Sequence, residues 1–257
     1  MSHAAPIVLP LLSYQVLASI AIVTLAALCQ SAAGFGFSLI AVPLLVLVLP
    51  PRVAVVVGFL HGCTLSLVVL NRYRRVVDLR ETLYLSIGAI ALMPLGLLVL
   101  LSSTQSHLRL TLGIVTIGAA VLLVRDRVRQ IPTGRAFSAG LALGAGALSG
   151  FLNTSLSTNG PPLVAYLQLR GFNPDRFRGT ISAVFTVSNL VGLGLFVGGG
   201  VLSPEAFEVF IATLPGSIVG GGIGLLIGRR VSARAFGLTV DLLLILGGVL
   251  AILKAVS

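Results

Sequence analysis

The chain has 257 residues, 56% hydrophobic and 9% charged, with a formal net charge of +10 and a mean hydropathy of +1.09. A soluble domain carries roughly a quarter charged residues, so a soluble enzyme and a disordered chain are both excluded, and the long uncharged runs require helices embedded in lipid. The basic residues stand in short clusters between apolar runs, which is the pattern of cytoplasmic loops and not of a nucleic-acid surface.

Charged residues divide the chain into apolar segments at 11–49, 53–70, 82–101, 108–124, 136–169, 179–202, 207–228 and 235–253. The first ten residues carry no basic region and no small-residue cleavage site follows, so a removed signal peptide is not expected. Six segments have single-span lengths of about 17–24 residues. The first and fifth are longer, and each is interrupted. The first break is Ser31-Ala32-Ala33-Gly34-Phe35-Gly36-Phe37-Ser38; the second is Asn153-Thr154-Ser155-Leu156-Ser157-Thr158-Asn159-Gly160-Pro161-Pro162.

Segment 136–169 is too short for two crossings and a turn, which need roughly 40 residues. Legs of ~12–17 residues reach ~18–26 Å, short of a ~30 Å hydrocarbon core. A re-entrant hairpin is therefore expected there and, by analogy, in the first segment, although 11–30 alone is long enough to span. The basic residues give an independent test. If every segment crosses, they divide nine to eight between the two sides. If both long segments are re-entrant, fourteen fall inside and only Arg52, Arg109 and Lys254 outside. The positive-inside rule favours the second arrangement.

The two halves then match as broken hairpin plus three spans. Pro51-Arg52-Val53 corresponds to Pro174-Asp175-Arg176, and Met93-Pro94 to Leu214-Pro215, at an offset of 121–123 residues, which indicates an internal duplication. The expected domains are a first transmembrane repeat at 11–124, a basic cytoplasmic linker at 125–135 and a second transmembrane repeat at 136–257. Three crossings per half give the repeats opposite orientation. The expected fold is an all-α integral membrane protein with two inverted repeats and about eight or more hydrophobic helices. Inverted repeats with helix breaks in matching positions are a transporter signature, with the site near the midplane. Gly220, Gly224 and Gly228, and the pairs Gly140/Gly144 and Gly146/Gly150, recur at the spacing that lets helices pack closely in lipid.

The second break carries the strongest chemical signal. Proline favours the first turn of a helix, so a helix is expected to restart near Pro161. Its N–H groups and positive dipole end would attract an anion, with Asn153, Ser157, Thr158, Asn159 and Gly160 adding polar contacts. In the first half Gly34, Phe35, Gly36, Phe37 and Ser38 play the same part, with a helix starting near Phe37. The bland alternative is that both breaks are kinks whose polar groups satisfy freed backbone. His61, mid-span, is an anion contact, a proton carrier or a packed neutral imidazole. Asn189 is a candidate pocket group. Asp241 suits pairing, with Arg234 in reach, or proton coupling. Arg176 and Arg178 either gather anions at the cytoplasmic mouth or belong to a solvated loop. Cys29 and Cys63 lie in apolar segments and do not form a disulfide framework. With the scattered His3, His61 and His107 they offer no zinc spacing. No Walker-type loop exists, so ATP coupling is not expected, and no cofactor or catalytic residue is called for.

The run Gly34-Phe35-Gly36-Phe37-Ser38-Leu39-Ile40-Ala41-Val42-Pro43-Leu44-Leu45 resembles the glycine-rich first motif of the sulfite exporter TauE/SafE family. Asn159-Gly160-Pro161-Pro162-Leu163-Val164, followed by Arg176-Phe177-Arg178-Gly179-Thr180, is similar to that family's repeated motif. Asn71-Arg72-Tyr73-Arg74-Arg75 and Leu214-Pro215-Gly216 match as well, so the resemblance covers nearly the whole chain. The usual run of glycines is thinned to Gly34 and Gly36, and Ser157-Thr158-Asn159 makes the second copy more polar. The resemblance implies transport of sulfite, organosulfonates or related sulfur anions. The expected function is a secondary transporter of such anions by alternating access around the two breaks; the alternative is an anion channel or an importer of other small organic anions. An enzyme would need a nucleophile–base pair or metal ligands at matching depth. The expected setting is the inner (plasma) membrane, multi-pass, with lipid and a small anion as partners and no nucleic acid. Proton coupling and a homodimer stay open.

Overall fold

The computed structural model describes residues 14–129, 134–227 and 233–256. These form ten α-helices and one 3-10 turn, Arg74–Val76, with no strand among the described residues. In the first half α1 is Tyr14–Ala33, α2 Phe37–Leu45, α3 Pro51–Tyr73, α4 Leu79–Ser102 and α5 Gln105–Arg129. In the second α6 is Ala139–Leu156, α7 Gly160–Leu169, α8 Pro174–Gly198, α9 Pro204–Ile227 and α10 Ala233–Val256. Seven of them, α1, α3, α4, α5, α6, α8 and α9, are long and apolar enough to cross a membrane, and α10 adds a shorter apolar stretch, Leu242–Ala255. The protein is an all-helical, multi-span membrane protein. Leu83, Ile87 and Leu98 of α4, and Phe207, Ile218 and Leu226 of α9, face outward, as helices bathed in acyl chains do.

The helix starts follow from local chemistry. Asp78 accepts the Glu81 amide at 3.0 Å to cap α4, and Asn173 accepts the Arg176 amide at 2.9 Å to cap α8, one helical turn supplying the donor in each case. Pro51 and Pro174 occupy the first turns of α3 and α8, where a missing N–H costs nothing.

Both breaks are shorter than the sequence suggests. Helix α1 runs through Ala33 and α2 starts at Phe37; α6 runs through Leu156 and α7 starts at Gly160. Polar residues of the expected second break continue the helix because their hydroxyls bond back to the preceding turn: Ser155 Oγ donates to Phe151 O at 2.6 Å. The first leg of the second hairpin is correspondingly longer than expected, 18 residues, while that of the first, 20 residues, has the spanning length read for 11–30; they measure ~27 and ~30 Å at 1.5 Å per residue. Both restart points, near Phe37 and near Pro161, fall where the sequence puts them.

Each hairpin nevertheless keeps its two ends together. Leu169 O, at the end of α7, accepts from the amides of Gly134 and Arg135, just before α6, both at 3.1 Å. In the first half, Phe37 stacks on His61 while Val42 abuts Gly58, so α2 runs back along α3 toward its start. The hairpins enter from opposite ends of the bundle. At one end Arg52 reaches Leu101 O and Ser103 O and Lys254 reaches Leu47 O. At the other, Arg170, Arg176 and Arg178 gather around Asp78, Glu81 and Tyr73.

Close helix packing is built from glycine. Gly220 and Gly224 lie against the carbonyls of Thr24 and Leu28, while Gly146 and Gly150 lie against those of Leu85 and Ala89. The numbers rise together in both sets, so α1 runs with α9 and α4 with α6. Gly140 and Gly144 face open space instead, and the expectation that they pack is corrected. Gly228 lies outside the described residues, as does the Asp241–Arg234 pair at the level of side chains.

Candidate functional site

The tips of the two hairpins meet in the middle of the bundle, between α3 and α8. The cavity there has a volume of about 20 Å³, and roughly 10–15 Å³ on this measure admits one water. Of the residues singled out from sequence, Gly36, Phe37, Ser38, Asn153, Ser157, Thr158, Asn159, Gly160 and Asn189 line it. Gly34, Phe35 and Pro161 sit beside it without lining it. His61 lies one layer back, with Phe37 between the two: the rings are 5.5 Å apart.

Gln30, Leu39, Phe59, Gly62 and Phe185 also line the cavity and went unseen in the sequence. Gln30 is embedded in an apolar helix, a full turn before the break. A common offset of 123 positions is the signal that finds it. Gln30 and Asn153, Gly36 and Asn159, Phe37 and Gly160, and Gly62 and Phe185 all line the cavity, each pair 123 positions apart. Ser66 and Asn189 share that offset and touch each other at 3.5 Å.

Hydrogen bonds fix which way each polar group points. Gln30 Oε1 accepts the Phe37 amide at 3.0 Å, which leaves its NH₂ as the group to present. Asn153 Nδ2 donates to Asn189 Oδ1 at 3.1 Å; Asn189 Nδ2 points to Ser66 Oγ, whose own proton goes to Cys63 O. Ser157 Oγ donates to Ser38 Oγ at 3.3 Å, and Ser38 donates onward to Gly58 O at 3.2 Å. These two hydroxyls therefore turn lone pairs, not protons, toward the cavity. Thr158 differs. Its residue is 1% exposed, and its Oγ1 has no hydrogen-bond partner. A buried polar atom without a partner costs roughly 1–3 kcal/mol and calls for an explanation in the structure or in what the structure binds.

The backbone adds further donors. The first turn of a helix has no intrahelical acceptor for its amides. In α2 the Phe37 amide is taken by Gln30, while Ser38 and Leu39 present theirs. In α7 the first turn is Gly160-Pro161-Pro162, and two of the three residues have no N–H to offer. The residues lining the cavity carry no charge, so it is an uncharged, donor-rich chamber with aromatic walls from Phe37, Phe59 and Phe185.

His61 is fully buried. Its Nε2 lies 2.8 Å from Thr213 Oγ1, which already donates to Val209 O at 2.7 Å. Nε2 must therefore carry the proton, and Nδ1 is left without a partner. The ring ties α3 to α9 behind Phe37. Arg176 and Arg178 are engaged at the basic end. Arg176 pairs with Asp78 and stacks 4.2 Å from the Phe172 ring. Arg178 pairs with Asp175 at 3.5 Å and donates to Ala32 O at 2.9 Å. Burial pushes the Asp78 carboxyl up, but the Glu81 amide and the Arg176 guanidinium outweigh it and hold the pKa below the usual carboxylate value.

A bundle of apolar helices with an uncharged polar chamber between two interrupted hairpins defines a multi-span membrane protein with a polar interior. The chain matches the family model described as Sulfite exporter TauE/SafE over residues 19–251 and belongs to that family. Membership implies a membrane transporter of sulfur anions such as sulfite. No curated protein and no solved structure matches the chain.

Proposed function

We propose that the protein is a secondary transporter that binds one small sulfur oxyanion, sulfite or an organosulfonate, between the two helix breaks and releases it by alternating access. The observation that carries this reading is the buried, unpartnered Thr158 hydroxyl in an uncharged chamber. Around it stand the NH₂ of Gln30, the side chain of Asn159 and the first-turn amides of α2, a donor set suited to an anion. The positive dipole ends of both short helices add to it.

The halves are read as repeats of opposite orientation, 11–124 and 136–257, joined by the basic segment 125–135, into which α5 extends as far as Arg129. Support comes from the α1–α9 packing, which recurs as α6–α4, and from hairpins that enter from opposite ends. Such a pair can rock about a fixed midplane site. A chamber of about 20 Å³ holds little more than one water, so on this reading the hairpin tips part to admit the anion. The basic end is read as cytoplasmic by the positive-inside rule, with the plasma membrane as the proposed setting.

Labelled sulfite uptake into proteoliposomes, under an imposed pH gradient and with unlabelled organosulfonate as competitor, tests the reading. Saturable uptake suppressed by the competitor is the expected result, and a response to the gradient establishes proton coupling. Uptake equal to that of empty liposomes for sulfite and for every sulfonate tried overturns the assignment.

A further inference from the structure

The tip of the first hairpin lies between the chamber and the basic end of the bundle, and it is three residues long, Gly34-Phe35-Gly36. Phe35 stands between Gly34 and Gly36, whose φ values are +91° and +104°, a backbone region that side chains other than hydrogen rarely adopt. A Cβ on Gly36 would meet nothing within 4 Å, so that glycine is demanded by conformation and not by space.

The ring of Phe35 reaches both ways. On the inner side it lies 3.7 Å from where a Cβ on Gly160 would stand, and Gly160 lines the chamber. On the outer side it meets Phe177 edge to face, with centroids 5.9 Å apart. Phe177 is in the first turns of α8, between Arg176 and Arg178, at the basic end. Thus one ring from the first half and one from the second stand in line between the chamber wall at Gly160 and the basic end. Arg178 braces the closure. Its Cγ would lie 2.8 Å from a Cβ on Gly34, and its guanidinium holds Ala32 O, the last turn of α1.

We infer that Phe35 is the cytoplasmic gate of the chamber, swung on the Gly34–Gly36 pair and latched on Phe177, with Arg178 as the positioning residue that holds the swivel shut. The inference rests on the transport reading for its purpose, but the gate has its own readout. When the Phe35 ring leaves Phe177, the chamber opens to the basic side. Opening gives up the Phe35–Phe177 pair and the packing of the Phe35 ring on the apolar cluster around Leu163 and Val164, so the closed state predominates and opening is a thermal excursion.

The test uses the full-length protein in inside-out and right-side-out vesicles, with Cys29→Ala and Cys63→Ala removing the native thiols. Thr158→Cys places a reporter in the chamber, and a membrane-impermeant methanethiosulfonate bearing a trimethylammonium group labels it. Adding Phe35→Ala should raise the labelling rate from the basic side roughly three- to tenfold, the shift that loss of one edge-to-face pair allows. Phe177→Ala should do the same from the other half of the molecule. Rates from the opposite face should not rise in either variant. Arg178→Gln should raise basic-side labelling and Arg178→Lys should restore the slow rate in part, a rescue that general unfolding would not give. Unchanged basic-side rates in both phenylalanine variants overturn the gate, as does equal acceleration from both faces. Because labelling needs no substrate, failure of the gate and failure of the anion assignment are read separately.

Discussion

The two helix breaks reach one geometry by different chemistry. The first is made of backbone: Gly34 and Gly36 at positive φ turn the chain, and α2 opens with the amides of Ser38 and Leu39 unclaimed by its own helix. The second is made of side chains. Ser157 makes the corresponding turn at φ 57°, and the α6 carbonyls are closed by the Ser157 and Thr158 amides, at 2.9 Å to Asn153 O and 3.1 Å to Leu152 O. Its restart, Gly160-Pro161-Pro162, has shed most of its backbone donors. Under the proposed reading, Asn159 and Thr158 stand in for them. Positions 123 residues apart thus need not share a residue type: the turn and the helix restart recur, while the polar groups sit on the main chain in one break and on side chains in the other.

If this division is right, deleting side chains should hurt most in the second break. Asn159→Leu should reduce sulfite flux to the level of empty liposomes while the purified protein keeps its monodisperse elution. Unchanged flux would remove the second break from the site. Thr158→Val keeps the shape and removes the one uncommitted hydroxyl. A hydrogen bond to a charged group is worth roughly 1.5–3 kcal/mol, so KM should rise about tenfold or more. The unliganded protein should melt no lower, since a buried donor without a partner is gone. A fall in melting temperature with unchanged KM would make Thr158 a packing residue.

The first break should respond to backbone changes instead. Gly36→Ala meets no neighbour, so its effect isolates the left-handed turn, which costs a side chain roughly 1–2 kcal/mol. Flux should fall about five- to thirtyfold, the factor equivalent to that energy, with the loss in kcat rather than KM if Gly36 serves the swivel. Activity equal to wild type would show that the first break does not need glycine chemistry.

Much of this was legible beforehand. Both restart points, the family motifs and nine of the chamber residues follow from polar and glycine-rich interruptions in apolar runs, because such residues are costly in lipid and seldom stand there idly. Gln30, Phe59 and Phe185 were hidden for the opposite reason: phenylalanine in a membrane helix is the background, and Gln30 lies outside the interruption that drew attention. The extra length of α6 was hidden because Ser and Thr read as helix breakers. Here their hydroxyls return to carbonyls of the same helix and extend it. Pro161 and Pro162 announce the restart, yet the ring that makes them good helix starters also removes the N–H groups an anion would use. His61 stood out as an ionisable residue at mid-span, but its depth in the sequence says nothing of rotation about α3, and Phe37 lies between it and the chamber.

The smallest expected effect is the sharpest on the comparison itself. Ser157→Gly rebuilds the second break in the manner of Gly34. Relief of a left-handed serine gains about 1–2 kcal/mol; the chain entropy of glycine costs roughly 0.5–1 kcal/mol, and the lost bond to Ser38 about 1 kcal/mol. These nearly cancel, so the melting temperature should move little. Because the Ser157 proton is committed to Ser38, its oxygen turns lone pairs toward the bound anion, and removing it should leave KM unchanged or lower it slightly. A KM raised several-fold would mean that the Ser157–Ser38 pair reverses on binding and donates, and both breaks would then hold the anion through side chains after all.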